Sequence, residues 1–228
     1  GESEWCYDSR TTLLLSISSP SLIIIILIID PIQQLAAPDT TTTAATMTST
    51  GNLWWMTPLQ AFATLGAAAN FGGSALQSPL IMPMLQMSQV PTHHAGTQTA
   101  YLLHHSEKFF PPLNMLCTLS NLAVTVGAYL NRNKSSLAAE RLPYVATAFA
   151  GSVATTAYAL LIMVPMNRRM TALSKNLEVN NSDEKSEKEF RSLQSRWQKL
   201  NLGRATIMIS SAVVGMYALL LDGATVRL

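Results

Sequence analysis

Apolar and small residues in this chain gather in neutral runs of about twenty, and the charges collect in the short stretches between them. Four runs have spanning length, since a helix rising 1.5 Å per residue needs roughly 20 residues to cross a bilayer. They lie at about Thr57 to Leu80 ("TPLQAFATLGAAANFGGSALQSPL"), Pro112 to Leu130 ("PLNMLCTLSNLAVTVGAYL"), Pro143 to Pro165 ("PYVATAFAGSVATTAYALLIMVP") and Leu202 to Leu221 ("LGRATIMISSAVVGMYALLL"). The first three carry no charge, and the fourth has only Arg204, in its first turn. A bilayer selects this segregation, because a lone charge at mid-membrane costs several kcal/mol. The predicted fold is all-α: a membrane bundle of four transmembrane helices over residues 47–228. Small residues in "GAAANFGGSA" and "AFAGSVATTA" suit close helix packing within lipid.

A further apolar stretch, Leu13 to Ile29, precedes the Pro- and Thr-rich "DPIQQLAAPDTTTTAAT". With Pro20 inside it and only Arg10 before it, it is a poor signal peptide and reads as an extra N-terminal apolar helix or a weak anchor. Met47 opens a compact four-span sequence, so residues 1–46 are expected to be a peripheral, dispensable extension.

The connectors differ in chemistry. Residues 81–111 hold all four histidines with Glu107 and Lys108, and have room for a short helix. Residues 131–142 form a basic turn with Arg132, Lys134 and Arg141. Residues 166–201 read as the longest polar loop, with "NNSDEKSEKEF" as a solvated tip and "EKEFRSLQSRWQKL" as an amphipathic helix entering the last span. Its eight Lys and Arg place it on the cytosolic face, while the basic turn at 131–142 argues the reverse.

Composition adds little to this pattern. Charged residues are 12% of 228, and the formal net charge of +2 is too small to point to nucleic acid. Cys6 and Cys117 imply no disulfide framework, and Cys117 reads as a small core residue. The chain has no GxGxxG, P-loop, GxSxG or CxxC motif.

Three groups of residues carry candidate chemistry. Trp197, Asn201 and Arg204, in "RWQKLNLGR", fall at i, i+4 and i+7 on one helical face. They serve either as an interfacial bracket, with Arg204 snorkelling to lipid phosphate, or as the polar side of a site. "VPMNRRM", residues 164–170, reads as a helix stop with interfacial arginines, or as a site in which Asn167 works beside the break at Pro165. His93 with His94 and His104 with His105 lack the repeated spacing of a metal frame. A single histidine near the membrane surface suits a general base, because its pKa lies near neutrality.

At "VPMNRRM" followed by "RWQKLNLGRA" the chain resembles the anthrone-oxygenase-like family of small four-span membrane proteins, long catalogued as a domain of unknown function. The family pattern of Val-Pro-x-Asn ending the third helix falls on Val164, Pro165 and Asn167. Its Trp-x-x-x-Asn-x-x-Arg entering the fourth falls on Trp197, Asn201 and Arg204. The prolines of "SPLIMPML" (Pro79, Pro83) and of "FFPPLNMLCTLSNLAVTVGAYL" also look similar, so the likeness covers roughly Trp54 to Leu221. Many members have a histidine directly after the motif asparagine, where this chain has Leu202.

The resemblance implies a monooxygenase-type oxidoreductase of fungal-type aromatic polyketide pathways. It would oxidise the central CH2 of an anthrone to the ketone of an anthraquinone, with O2 as co-substrate and no metal or flavin. It also implies a multi-pass protein of the endoplasmic reticulum or another endomembrane, whose partners are an apolar aromatic small molecule and the lipid bilayer. Oligomeric state stays open. In that reading Asn167, Asn201 and Arg204 bracket a pocket at one end of helices three and four, beside Pro165. Arg204 steadies an anion, the asparagines orient substrate oxygens, Trp197 stacks on the tricycle, and His104 or His105 is the base. The alternative is a non-catalytic membrane scaffold of such a pathway. A small transporter fits less well, since no carboxylate pair lies within the spans.

Overall fold

A computed structural model describes residues 53–225, and the N-terminal apolar stretch and the extension at 1–46 lie outside the described residues. Among the described residues every regular element is helical. The elements are α1 (Met56–Leu76), a π-helical turn (Gln77–Ile81), α2 (Met82–Leu85), α3 (Thr92–Asn131), α4 (Ser136–Tyr158), a second π-helical turn (Ala159–Met163), α5 (Val164–Val179) and α6 (Glu184–Thr225). They make four rods, because each π turn joins its neighbours without a break. Three are long and apolar enough to span a bilayer: Thr92–Asn131, Ser136–Val179 and Glu184–Leu221. The fourth rod, beginning with α1, packs against α3 and α6 and completes an all-α, multi-pass membrane bundle.

The rods are longer than the membrane requires. At 1.5 Å per residue, the 40 residues of α3 run roughly 60 Å, about twice the hydrocarbon thickness. The excess forms a helical head at one end, built from α2, residues 92–110, α5 and the first half of α6. Residues 166–201, expected to be a polar loop ending in an amphipathic helix at 187–200, are two helices joined by a turn at 180–183, so that helix is found and 166–179 is a helix as well. Their polarity comes from facing water, while Met166, Met170, Leu173, Leu177, Phe190 and Trp197 face a buried core with Met82, Leu103 and Met163. Asp183 caps α6, its carboxylate accepting from the Ser186 backbone N–H at 3.3 Å and from the Ser186 hydroxyl at 2.6 Å. Arg191 ties down the loop after α2, donating to the carbonyls of Leu85 at 2.6 Å and Val90 at 2.8 Å. Gln194, fully buried, donates to Thr99 at 2.9 Å.

Pro165 does not stop its helix. A proline in a helix lacks an N–H and pushes against the carbonyl four residues back. The chain answers with a wide turn, in which the Val164 N–H reaches back five residues to Ala159. The same device precedes Pro83, where the Met82 N–H bonds to Gln77. In both rods the proline follows the π turn by two residues, so "VPMN" is an adjusted continuation and not an end.

At the opposite end a second core gathers Met56, Val124, Ala128, Val145 and Ala218. Between the two cores, Leu65, Leu116, Leu119, Leu160, Leu161 and Val213 are exposed, the belt expected to meet lipid chains.

Candidate functional site

Where α6 leaves the head, its side chains meet the first π turn. Asn201 is fully buried and donates both amide hydrogens, to the Ser74 carbonyl at 2.7 Å and the Ser78 hydroxyl at 2.9 Å. Its carbonyl accepts from Arg204 Nη2 at 2.9 Å, and the same nitrogen donates to Ser74 Oγ at 3.0 Å. Ser74 in turn donates to Asn70 at 3.5 Å. Asn201 is thus saturated, whereas Arg204 is only half used, because its Nε is buried with no partner.

Beside Arg204 lies a cavity of about 370 Å³, within the range of small-molecule sites, about 300–1,000 Å³. Asn70, Arg204 and Met208 form its back; Phe110, Pro111, Asn114, Met115, Thr118 and Leu119 of α3 form one wall. Thr155, Thr156, Ala159, Leu160 and Val164 form the other, so the second π turn shapes the space directly. Wide turns of this kind recur at functional sites. Gly73 is needed behind Phe110, for a Cβ there would stand 2.6 Å from the ring. Asn114 crosses between the walls, donating to Thr156 Oγ1 at 2.8 Å.

One turn above the cavity, Glu107 and Asn167 join the same two rods. Asn167 Nδ2 donates to Glu107 Oε1 at 3.0 Å, and Asn167 Oδ1 accepts from Trp197 Nε1 at 2.9 Å. Glu107, Phe110, Pro111, Asn114, Met115 and Thr118 share one helical stripe, so the carboxylate continues the cavity wall by one turn.

The residues singled out in the sequence therefore divide. Arg204 lines the cavity and Asn201 holds it in place. Asn167 sits just above, oriented by Trp197. Trp197 is 2% exposed and packed in the head core, so its ring offers no face for stacking on a ligand. Pro165 lines a separate shallow groove with Ile162, Met166, Leu193, Arg196 and Leu200. His104 and His105 are exposed and do not line the cavity; His105 Nδ1 is engaged by the Tyr101 carbonyl at 2.9 Å. Sequence reasoning passed over Asn70, Asn114, Thr156 and Glu107. The two asparagines were visible as polar groups inside neutral runs, the signal that deserved more weight. Among the described residues no three His, Cys, Asp or Glu side chains converge as metal ligands would.

The sequence model of a family described as anthrone oxygenase matches residues 100–214, about half of the chain and nearly all of the site described above. Asn70, Ser74 and the first π turn fall before the matched segment. No curated protein and no solved structure gave a match.

Proposed function

The chain belongs to the anthrone oxygenase family, and from that premise we propose that it oxidises an anthrone to an anthraquinone with O2 in the cavity beside Arg204. The observation that carries this reading is the guanidinium itself: a cation inside a membrane, at the back of a mostly apolar slot that also presents Asn70, Asn114 and Thr156. Such a site favours a flat hydrophobic molecule that develops negative charge on oxygen.

The reaction asks for little else. Removing a proton from the central CH2 leaves a carbanion delocalised onto the ring oxygens. Arg204, held by Asn201 and Ser74, stabilises that charge more than the neutral substrate, which lowers the barrier. The carbanion forms a C–O bond with O2, and the resulting peroxide takes a proton. Loss of the second C–H proton then cleaves the O–O bond, giving the ketone and water. The substrate supplies the electrons, so in this proposal neither metal nor flavin takes part.

For the proton acceptor we assign Glu107, an exposed carboxylate one turn above the cavity and on the same stripe as its lining residues, in preference to His104 or His105. Asn167 holds one carboxylate oxygen, and the other is left to take the proton and return it to water. Asn114, Thr155 and Thr156 supply further polar contacts for the substrate. An endomembrane location in a polyketide pathway is part of the same proposal. The test is oxidation of 1,8-dihydroxyanthrone by membranes bearing the protein, followed by quinone absorbance and O2 uptake. A rate equal to that of membranes lacking it refutes the activity for this substrate class. Full-rate turnover by Arg204→Met refutes the site.

A further inference from the structure

The cavity lies between the rods and opens outward, and its open side is informative. Above it, the Glu107–Asn167 bond clasps α3 to α5 three residues beyond the lining residues Phe110 and Val164. Below it, Asn121 donates to Ser152 at 3.0 Å and joins α3 to α4. Behind it stand α1 and α6, through Asn70, Arg204 and Met208. The remaining side runs between Met115 and Leu119 on one wall and Leu160 on the other. These three are 62%, 50% and 61% exposed, and they belong to the belt that meets lipid chains.

We propose that this side is a lateral portal, through which a flat phenolic tricycle dissolved in the bilayer passes between α3 and the second π turn to reach Arg204. The inference rests on the anthrone reading for the identity of the occupant. The alternative occupant, a lipid acyl chain, would match the apolar front but not the Asn70, Asn114 and Arg204 side chains that line the interior. A tricycle with phenolic oxygens satisfies both ends. The Asn114–Thr156 bond at 2.8 Å crosses the opening, and its two side chains can turn to the phenol oxygens as the molecule passes. Farther up, the head is packed closely between α3 and α5, where a Cβ on Gly96 would lie 3.3 Å from Ser174 Cβ.

The experiment uses the full chain in phosphatidylcholine vesicles, with Cys6→Ser and Cys117→Ala as background. One variant carries Met115→Cys and Leu160→Cys joined by a short bis-methanethiosulfonate linker across the portal. A second carries Gly96→Cys and Ser174→Cys oxidised to a disulfide across the head. Stopped-flow measures association of the product-type probe 1,8-dihydroxyanthraquinone, and turnover of 1,8-dihydroxyanthrone is followed separately. The portal linker should slow probe association at least tenfold, with recovery on reduction, while the head disulfide leaves it within twofold. A reversed pattern, association indifferent to the portal linker, or no probe binding to the background protein each overturns the portal. Probe association gated by the linker without any anthrone turnover leaves the portal standing and removes the oxygenase reading.

Discussion

Arg204→Met separates a catalytic guanidinium from a structural one, because the two roles predict different melting behaviour. The native side chain makes two hydrogen bonds through Nη2, to Ser74 and Asn201, each from a charged donor. Such bonds contribute about 1.5–3 kcal/mol apiece. Against them stands the cost of holding a cation away from water, several kcal/mol per ion, with Nε left unpaired. The two sides nearly cancel. Relief of that desolvation cost offsets part of the lost bonding, as it does when buried ion pairs are replaced by apolar side chains with little loss of stability. Asn201 keeps its bonds to Ser74 and Ser78, and Ser74 keeps Asn70, so the first π turn stays braced. The substitution does strip the donor from the buried Asn201 Oδ1, a loss of about 1–3 kcal/mol, so the variant should melt close to the wild-type temperature in detergent. Turnover should behave differently: losing one preorganised donor to a developing oxyanion costs about 10²–10³ in rate. The assay is anthrone oxidation by membranes with matched protein amounts, beside a thermal scan. A variant that is both unstable and inactive would mean that Arg204 is a structural strut. One that is stable and within threefold of wild-type rate would remove it from the chemistry.

Three further outcomes follow from the same geometry. Glu107→Gln should lower kcat by about 10²–10⁴, the usual contribution of a positioned base, while Glu107→Asp recovers part of the rate; His104→Ala and His105→Ala should stay within threefold, and loss in either histidine variant would return the base to that pair. Trp197→Phe strips the donor from buried Asn167 Oδ1 and should destabilise by about 1–3 kcal/mol, read as a lower melting temperature with the helical signal unchanged below it. The bonds from Ser186 hold the Asp183 carboxyl below its ordinary pKa, the side-chain bond foremost. A depressed folded pKa stabilises above the unfolded value, and that contribution fades as pH falls through the folded one. The melting temperature of wild type should therefore drop below about pH 4 more steeply than that of Asp183→Asn, and parallel curves would refute the cap.

What was legible in the sequence is what a bilayer writes into composition. The neutral runs, their number and the helical class all follow from the exclusion of charge from lipid. The head was only partly legible, for the same reason inverted. The amphipathic pattern at 187–200 was readable, but residues 166–179 carry charges on their outer face, and density of charge reads as loop unless the buried stripe of Met166, Met170, Leu173 and Leu177 is noticed beneath it. Pro165 misled by a local rule applied in isolation. Pro stops helices when the preceding turn is tight, and here the turn from Ala159 to Met163 is wide.

The site was half legible, and the half that was missed explains the rest. Trp197, Asn201 and Arg204 do share a face of α6, but roughly 10 Å of rise separates the first from the last. Over that distance the helix passes from the water-facing head into the membrane. One stripe therefore serves two environments: Trp197 packs in the head and aligns Asn167, while Arg204 turns to the cavity. A one-dimensional motif cannot show this division, because it records spacing and not depth. Nor can it show that Asn70 beside Arg204 and Asn114 on the α3 wall complete the polar lining, residues ordinary in their own segments until the rods meet. The family pattern at Val164, Pro165 and Asn167 then acquires a physical reason. The wide turn before Pro165 forms part of the cavity wall, and Asn167, one turn later, clasps Glu107 over its upper end. Proline and asparagine at this spacing open the slot and close its top in a single turn of chain, which leaves the lipid-facing side as the way in.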